Sequence, residues 1–294
     1  MEKKIKLVST AEAISTINDG DKIAFGGILI RRHPMAFVHE LIRQNKKDLT
    51  LYGWNNGMDY DMLIGAGCVR EAHSCYVGIA NLGLAKNFRR AMESGTLRFI
   101  ENSESVALDK FRAGSSGVSF AVSKSPLHND IRLNSEFFVD ITCPFTGEQY
   151  VAVEAFRPDV AFIHAHRADK YGNVQLDRKR MTDNEADIIL AKSGKRIIVS
   201  VEEIVDEEEI IATPDLTVLP RLFVDFVVHA PYGAHPNSCD TRYDFDIKHA
   251  RLYQEASTTT EGFDKYIKEY VIDTKDWNGY ISKIGKTQLD SITR

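Results

Sequence analysis

No apolar run in this sequence approaches the ~18 residues that a membrane-spanning helix needs. The longest, such as Ile188 to Ala191, are far shorter. Met1-Glu2-Lys3-Lys4 leads into a polar, amphipathic stretch that has no apolar core of the signal-peptide kind. Cysteine is sparse: Cys68, Cys75, Cys143 and Cys239 form no Cys-x-x-Cys pair. The expectation is a cytoplasmic chain with free thiols. Positive charge is not in excess, with 37 Lys and Arg against 42 Asp and Glu and a formal net charge of -5. That balance argues against a nucleic-acid binder held by bulk electrostatics. There is no Gly-x-Ser-x-Gly elbow to support a serine hydrolase. There is also no internal repeat and no low-complexity tract.

What is present is an ordinary globular composition, 43% hydrophobic and 27% charged, over 294 residues. Such a chain buries a sizeable core and is not disordered. Ser9 and Thr10 cap a helix through Ile17, with Glu12 placed for a capping box. Lys22 to Phe25 reads as a strand, Met35 to Gln44 as a helix behind Pro34, and Leu49 to Tyr52 as a strand. Glu71 to Val77 reads as a strand, Asn81 to Ser94 as a helix, Leu97 to Ile100 as a strand and Val106 to Gly114 as a helix. The runs Asp159 to Ile163, Arg196 to Ser200 and Phe223 to Val228 suit strands buried on both faces. Ala186 to Lys192 fits a helix between the first two. Gly114 to Pro126 is a long loop or a subdomain boundary.

The fold class is therefore α/β: an open, mostly parallel sheet with helices on both faces. Residues 1–294 form a single domain. Helices from about Arg251 on dock on it or on a partner, and Gln288 to Arg294 fray. Ligands of such sheets sit at the carboxyl ends of the strands.

Three segments invite a functional reading. Gly26-Gly27 follows a strand, where glycines let a ligand approach the backbone, and Arg31 and Arg32 add charge for a phosphate or carboxylate. The later glycines of a dinucleotide fingerprint and the Gly-Lys-Ser/Thr of a Walker loop are missing. An ordinary tight turn is an equal alternative. His164-Ala165-His166 places two imidazoles on one side of a strand. A metal site is one reading and a structural pair the stronger one, so no metal is assigned. Glu101-Asn102-Ser103-Glu104-Ser105 puts two carboxylates at a strand end, suited to nucleophilic or general-base work. The plainer reading has Ser103 or Ser105 capping the next helix, with the acids in its first turn.

Taken together, Gly26-Gly27, Arg31 to Val38, Asp48-Leu49-Thr50, Tyr76-Val77-Gly78, Phe111 to Gly114, Arg157 to Ala161, Asp169 to Asn173 and Pro231 to Pro236 resemble one family. The family is that of the alpha chains of family I CoA transferases, and the resemblance runs over roughly Ile14 to Tyr270. The likeness is to the glutaconate CoA-transferase alpha-chain group, and Arg31 to Val38 looks most like the alpha chain of the steroid-ring-opening CoA hydrolase of cholesterol breakdown. The resemblance implies a beta-subunit partner in an α2β2 heterotetramer, a CoA thioester as substrate and no permanently bound cofactor.

In the hydrolase-like reading, which the resemblance favours slightly, Glu104 is the catalytic carboxylate. Gly26, Gly27, Arg31, Arg32, Ser103 and Lys124 then contact substrate. In the alternative, the chain is the alpha half of a dicarboxylate CoA transferase whose nucleophilic glutamate lies on the beta subunit. A third reading is a CoA-thioester binding protein without catalysis.

Overall fold

Buried β-branched runs set the architecture. In the computed structural model, which describes residues 3–134, 136–178 and 183–294, they assemble into one large parallel sheet. Its strands in chain order are β1 (Leu7–Val8), β2 (Lys22–Phe25), β3 (Leu49–Tyr52), then β5 (Val69–Ser74) beyond a short β4 (Asn55–Asn56). They continue with β7 (Arg98–Glu101), past a short β6 (Tyr76–Val77). β8 (Phe120–Ser123), β9 (Phe138–Thr142) and β10 (Gln149–Glu154) form a separate antiparallel sheet before β11 (Val160–Ala168) returns to the large one. β12 (Val174–Gln175), β13 (Arg196–Ile204), β14 (Thr217–Leu219) and β15 (Phe226–His229) complete the set.

The large sheet runs β1-β15-β13-β11-β2-β3-β5-β7, with every neighbouring pair parallel. β12 and β14 extend it in antiparallel fashion. Strand order changes direction between β11 and β2, the switch point where open α/β sheets leave a crevice.

Alternation along each strand fills two cores. Ile23, Phe25, Leu49, Leu51, Val160 and Phe162 face one side. There they meet α1 (Thr10–Ser15), α2 (Met35–Arg43), α3 (Met58–Gly65) and α4 (Lys86–Glu93). Ala24, Tyr52, Ala161, Ile163 and Val199 face the other side, against α5 (Glu104–Ser115) and α6 (Asp183–Ser193). A parallel sheet covered on both faces in this way needs strands that are apolar throughout.

After α7 (Glu207–Ala212), whose first turn carries Glu207, Glu208 and Glu209, come α8 (Ile247–Ala256), α9 (Thr260–Ile267), a π-helical turn at Lys268–Ile272, α10 (Trp277–Ile284) and α11 (Lys286–Ile292). This tail docks on the domain itself. Tyr253, Phe263, Tyr266, Val271, Trp277 and Tyr280 join the core beside α1 to α3. The last residues do not fray: Leu289 and Ile292 are buried in α11, and Arg294 bonds the Asp244 carboxylate through Nε at 2.7 Å.

The capping box at Ser9 and Glu12 forms as the sequence implies. Two elements differ from expectation. The strand expected over 71–77 breaks at Cys75, because the Ser74 hydroxyl bonds Trp54, Asn56 and Tyr76 and turns the chain so that β6 pairs with β4. The helix expected from Asn81 starts as a 3₁₀ turn, Ala80–Leu82, and is cut by Gly83 at φ +90° before α4 begins. The Ser/Gly-rich stretch after Gly114 marks a boundary: α5 ends at Ser115 and the three-stranded sheet follows.

Histidines are buried on both sides of the sheet. His39 lies between Trp277 and Tyr280 with neither ring nitrogen hydrogen-bonded among the described residues, and burial holds its pKa well below the usual value. Burial also pulls His166 down to about 4 and His249 to about 3. His33 goes the other way: burial lowers it, but Asp59 more than compensates, so it adds no slope below its unfolded pKa.

The sign follows. Above the unfolded-state value near ~6.5, the rings of His39, His166 and His249, and those of His73 and His235, which burial also lowers, are neutral in both states and their contribution is fully present. As pH falls through ~6.5 the unfolded chain takes up protons that the fold refuses, and about 1.4 kcal/mol is lost per pH unit per histidine. Urea unfolding between about pH 7.5 and about pH 5 should show this loss. A flat stability over that window would mean that these rings are protonated inside the fold.

Candidate active site

The residues that approach each other over the carboxyl ends of β3, β5 and β7 line a cavity of about 500 Å³: Ile28, Leu29, Asn55, Cys75, Tyr76, Ala80, Ser103 and Glu104. Glu104 is the first residue of α5. Ser103 caps that helix by accepting from the Val106 amide at 3.4 Å. The capping reading of this segment therefore holds. A carboxylate in the first turn is stabilised by the helix dipole, and here it also faces an open cavity. Glu101 ends β7 and does not line the cavity.

Asn55 donates through Nδ2 to Glu104 Oε1 at 2.5 Å. The other Glu104 oxygen has no hydrogen bond among the described residues, and the side chain is exposed. Cys75 lies opposite. Burial, reinforced by the carboxylates of Glu104 and Glu101, pushes its thiol up to about 12. It is a protonated, weakly polar wall and not a nucleophile. No Lys, Arg or His is among the described residues lining this cavity.

The glycine loop does something other than cradle a ligand. The Gly27 amide donates to Asp187 Oδ1 at 2.7 Å. Gly27 adopts φ +94°, and a Cβ there would lie 2.6 Å from the Arg31 carbonyl oxygen and the His33 amide nitrogen. A Cβ on Gly26 would meet Asp187 Oδ1 at 2.9 Å. The glycines thus make room for a carboxylate of the protein's own helix α6.

Arg32, fully buried, pairs with Asp187 through Nη2 at 2.7 Å and donates through Nη1 to the His164 carbonyl at 3.2 Å. It does not reach the cavity, so the substrate contact expected of Arg32, Gly26 and Gly27 gives way to an internal role. Arg31 is half-buried, bridged through its backbone to Ser238, and is not among the cavity's lining residues. Lys124 is exposed on the small sheet, paired with Glu148 at 3.1 Å. It precedes Ser125, whose hydroxyl accepts from Ser105 at 3.0 Å beside the start of α5.

His164 and His166 are buried and bonded separately. His164 contacts Ser200 Oγ at 2.9 Å and Glu202 Oε1 at 2.6 Å. His166 contacts the Asp240 carbonyl at 2.7 Å and accepts from the Asp177 amide at 3.0 Å. His164, Glu202 and Cys239 have ligand atoms within 4.8 Å of one another. Glu202, however, also accepts from the amides of Tyr232 and Gly233 and the hydroxyl of Tyr243. Its lone pairs are spent on the fold, which favours the structural reading of the pair.

Asn55, Cys75, Tyr76, Leu29 and Ala80 escaped the sequence reading. Asn55 and Cys75 carried a usable signal, since each follows a parallel strand at its carboxyl end.

A parallel sheet with a carboxylate-bearing cavity over its strand ends is the frame of an α/β enzyme subunit. The description "Coenzyme A transferase" belongs to the family model that matches residues 7–230. The chain is 36% identical to the A subunit of glutaconate CoA-transferase from Acidaminococcus fermentans, over 97% of this chain and 93% of that one. The crystal structure of glutaconate coenzyme A-transferase from that organism matches with a TM-score of 0.91 at 34% identity, covering 98% of this chain and 96% of that one. Identity is 37% to the A subunit of 3-oxoadipate CoA-transferase from Pseudomonas knackmussii, over 96% of this chain and 99% of that one. It is 28% to the IpdA subunit of the cholesterol ring-cleaving hydrolase from Rhodococcus jostii, over 98% and 99%. The chain belongs to the coenzyme A transferase family, among the A subunits of the family I type. That family takes CoA thioesters as substrates.

Asp187→Ala should destabilise the fold by about 3–5 kcal/mol, because it removes the carboxylate that pairs with the buried Arg32 guanidinium at 2.7 Å. Urea midpoints of the variant and the parent measure this. A loss under about 1 kcal/mol would mean that Asp240, 3.8 Å from Arg32 Nε, carries the pairing instead.

Proposed function

We propose that this chain is the A subunit of a heteromeric CoA transferase that moves CoA between short dicarboxylate-type acids, with the covalent glutamate supplied by a B subunit. The observation that carries this reading is the cavity itself. It holds one carboxylate, Glu104, and among its described lining residues no cation or imidazole to relay a proton. A lone carboxylate can serve as a general base, but the described lining offers no second group to pass the proton on, whereas orienting a substrate needs only the one. The higher identity to the two transferase subunits than to the hydrolase subunit supports the same choice.

In this reading the B-subunit glutamate attacks the thioester carbonyl and CoA thiolate leaves, giving an acyl-glutamyl anhydride. The thiolate then attacks the glutamyl carbonyl, releasing the first carboxylic acid as its carboxylate and leaving a glutamyl-CoA thioester. The acceptor carboxylate reverses the two steps. Splitting the transfer in this way is the usual logic of a carboxylate nucleophile. The chain's own contribution is a wall: Ile28, Leu29 and Cys75 exclude water from the acyl group, while Asn55 and Glu104 present fixed polar atoms at its rim.

A second reading, the ring-opening hydrolase, is favoured by one observation: Glu104 is exposed and has an oxygen free of hydrogen bonds among the described residues. There it would activate water or abstract a proton.

Glu104→Gln in the assembled enzyme separates the two. The transferase reading expects the variant to form glutamyl-CoA on the partner, trapped by borohydride reduction, with turnover reduced about 10- to 100-fold. Loss of turnover by more than about a thousandfold, with no covalent adduct in either parent or variant, would establish the hydrolase instead.

A further inference from the structure

We propose that a second cavity, beside the buried Lys110, binds a small phosphate-bearing anion. This cavity holds about 360 Å³ and lies on the α5 side of β3, β5 and β7, against the small antiparallel sheet. It is lined by five cations, Lys22, Arg70, Arg98, Lys110 and Arg157, against the two carboxylates Glu71 and Glu154. Glu71 is already committed to Arg98 and His73, each at 2.8 Å. The remaining charge is strongly positive in a chain whose net charge is -5, so the excess is local.

Lys110 is the second observation. It is fully buried, and its ammonium has no hydrogen-bond acceptor among the described residues. An ammonium carries three donors and ordinarily uses them when buried. Here it is held only against aromatic rings, with Phe137, Phe138 and Phe156 centred 5.3, 4.7 and 5.0 Å away. Those contacts partly replace the lost hydration but leave the donors unused.

The rim complements this arrangement. Arg70 and Arg157 are exposed; among the described residues their hydrogen bonds go to the Thr50 hydroxyl at 3.4 Å and the Gly117 carbonyl at 3.2 Å, and Arg70 also faces the Glu71 carboxylate. Guanidinium forks at a rim and a point charge beneath are the donor set that phosphate recognition uses. A phosphate monoester carries close to two charges near neutral pH, which offsets more of the excess that five cations over two carboxylates leave than a single carboxylate would. Burial pulls the Lys110 ammonium down to about 8, opposed by Glu154. A bound dianion would hold that proton in place.

The phosphate has two sources to distinguish: the 3′-phosphate of CoA and a separate phosphorylated metabolite. Calorimetric titration of the full chain with inorganic phosphate at low ionic strength tests the site. Saturable binding, weakened at least about tenfold in Lys110→Met, is expected. The exposed pair Arg70→Gln with Arg157→Gln should weaken it too, and this arm stands even where Lys110→Met folds poorly. Displacement of phosphate by CoA but not by 3′-dephospho-CoA would assign the site to the coenzyme. Displacement by neither would assign it to a metabolite. Absence of saturable binding, or equal binding by parent and both variants, overturns the proposal.

Discussion

The buried pair between Arg32 and Asp187 is the interaction on which the cavity end of this molecule depends. It sits at the switch between β2 and β11, where an open α/β sheet leaves its crevice. Burying two charges there is costly, and it is tolerated because each partner has further contacts: Asp187 takes the Gly27 amide and Arg32 the His164 carbonyl. The clamp holds a loop that would not keep its shape alone. Leu29 and Arg32 have φ of 54° and 50°, a region that costs a non-glycine residue roughly 1–2 kcal/mol. The loop then passes its geometry on. The Leu29 amide bonds the Asn55 carbonyl at 2.9 Å, and the Asn55 side chain holds Glu104. Helix α6 thus positions the carboxylate at the start of helix α5 without touching it. The open cavity that holds Glu104 stands over β3, β5 and β7.

This arrangement explains what could be read from the chain. The strands were legible because a doubly covered parallel sheet writes itself as apolar runs, as at Asp159 to Ile163 and Arg196 to Ser200, although both strands run on past the apolar part, to Ala168 and Ile204. Caps were legible because they are local: Ser9 with Glu12, and Ser103 ahead of Glu104. The Gly26-Gly27 loop was legible as a close approach, but its visitor was not. Asp187 lies 160 residues further on, and nothing in the spacing announces it. The same holds for Asn55 and Glu104, 49 residues apart. Long-range pairs between polar side chains carry no period, so they emerge only when the sheet brings the strand ends together.

Helix α5 gives the molecule an unusual economy of placement. Glu104 begins it, Lys110 lies about 9 Å further along at the ordinary helical rise, and Phe111 faces the core between the sheet and α6. β5 runs beside it in the opposite sense, with His73 bordering the cationic cavity and Cys75 the acidic one. The two cavities therefore share a helix and a strand while differing in sign, and the rings of Phe137, Phe138 and Phe156 surround the Lys110 ammonium.

The segment Arg31 to Val38 carries much of the likeness to the ring-opening hydrolase, and its surroundings explain why it is a poor guide to substrate. Arg32 and His33 are fully buried, the first against Asp187 and the second against Asp59 at 3.1 Å. Met35, Ala36, Phe37 and Val38 are fully buried core residues of α2. Side chains in these positions answer to packing and to the loop clamp, which any member of the fold must solve in some way whatever acyl group it handles. Choice of substrate has to be written where the substrate can touch. In the reading proposed above, that is the rim of the Glu104 cavity, where Leu29, Tyr76, Ala80 and Glu104 stand. Similarity in a buried segment therefore weighs toward the family, and the identity of the rim residues weighs toward the reaction.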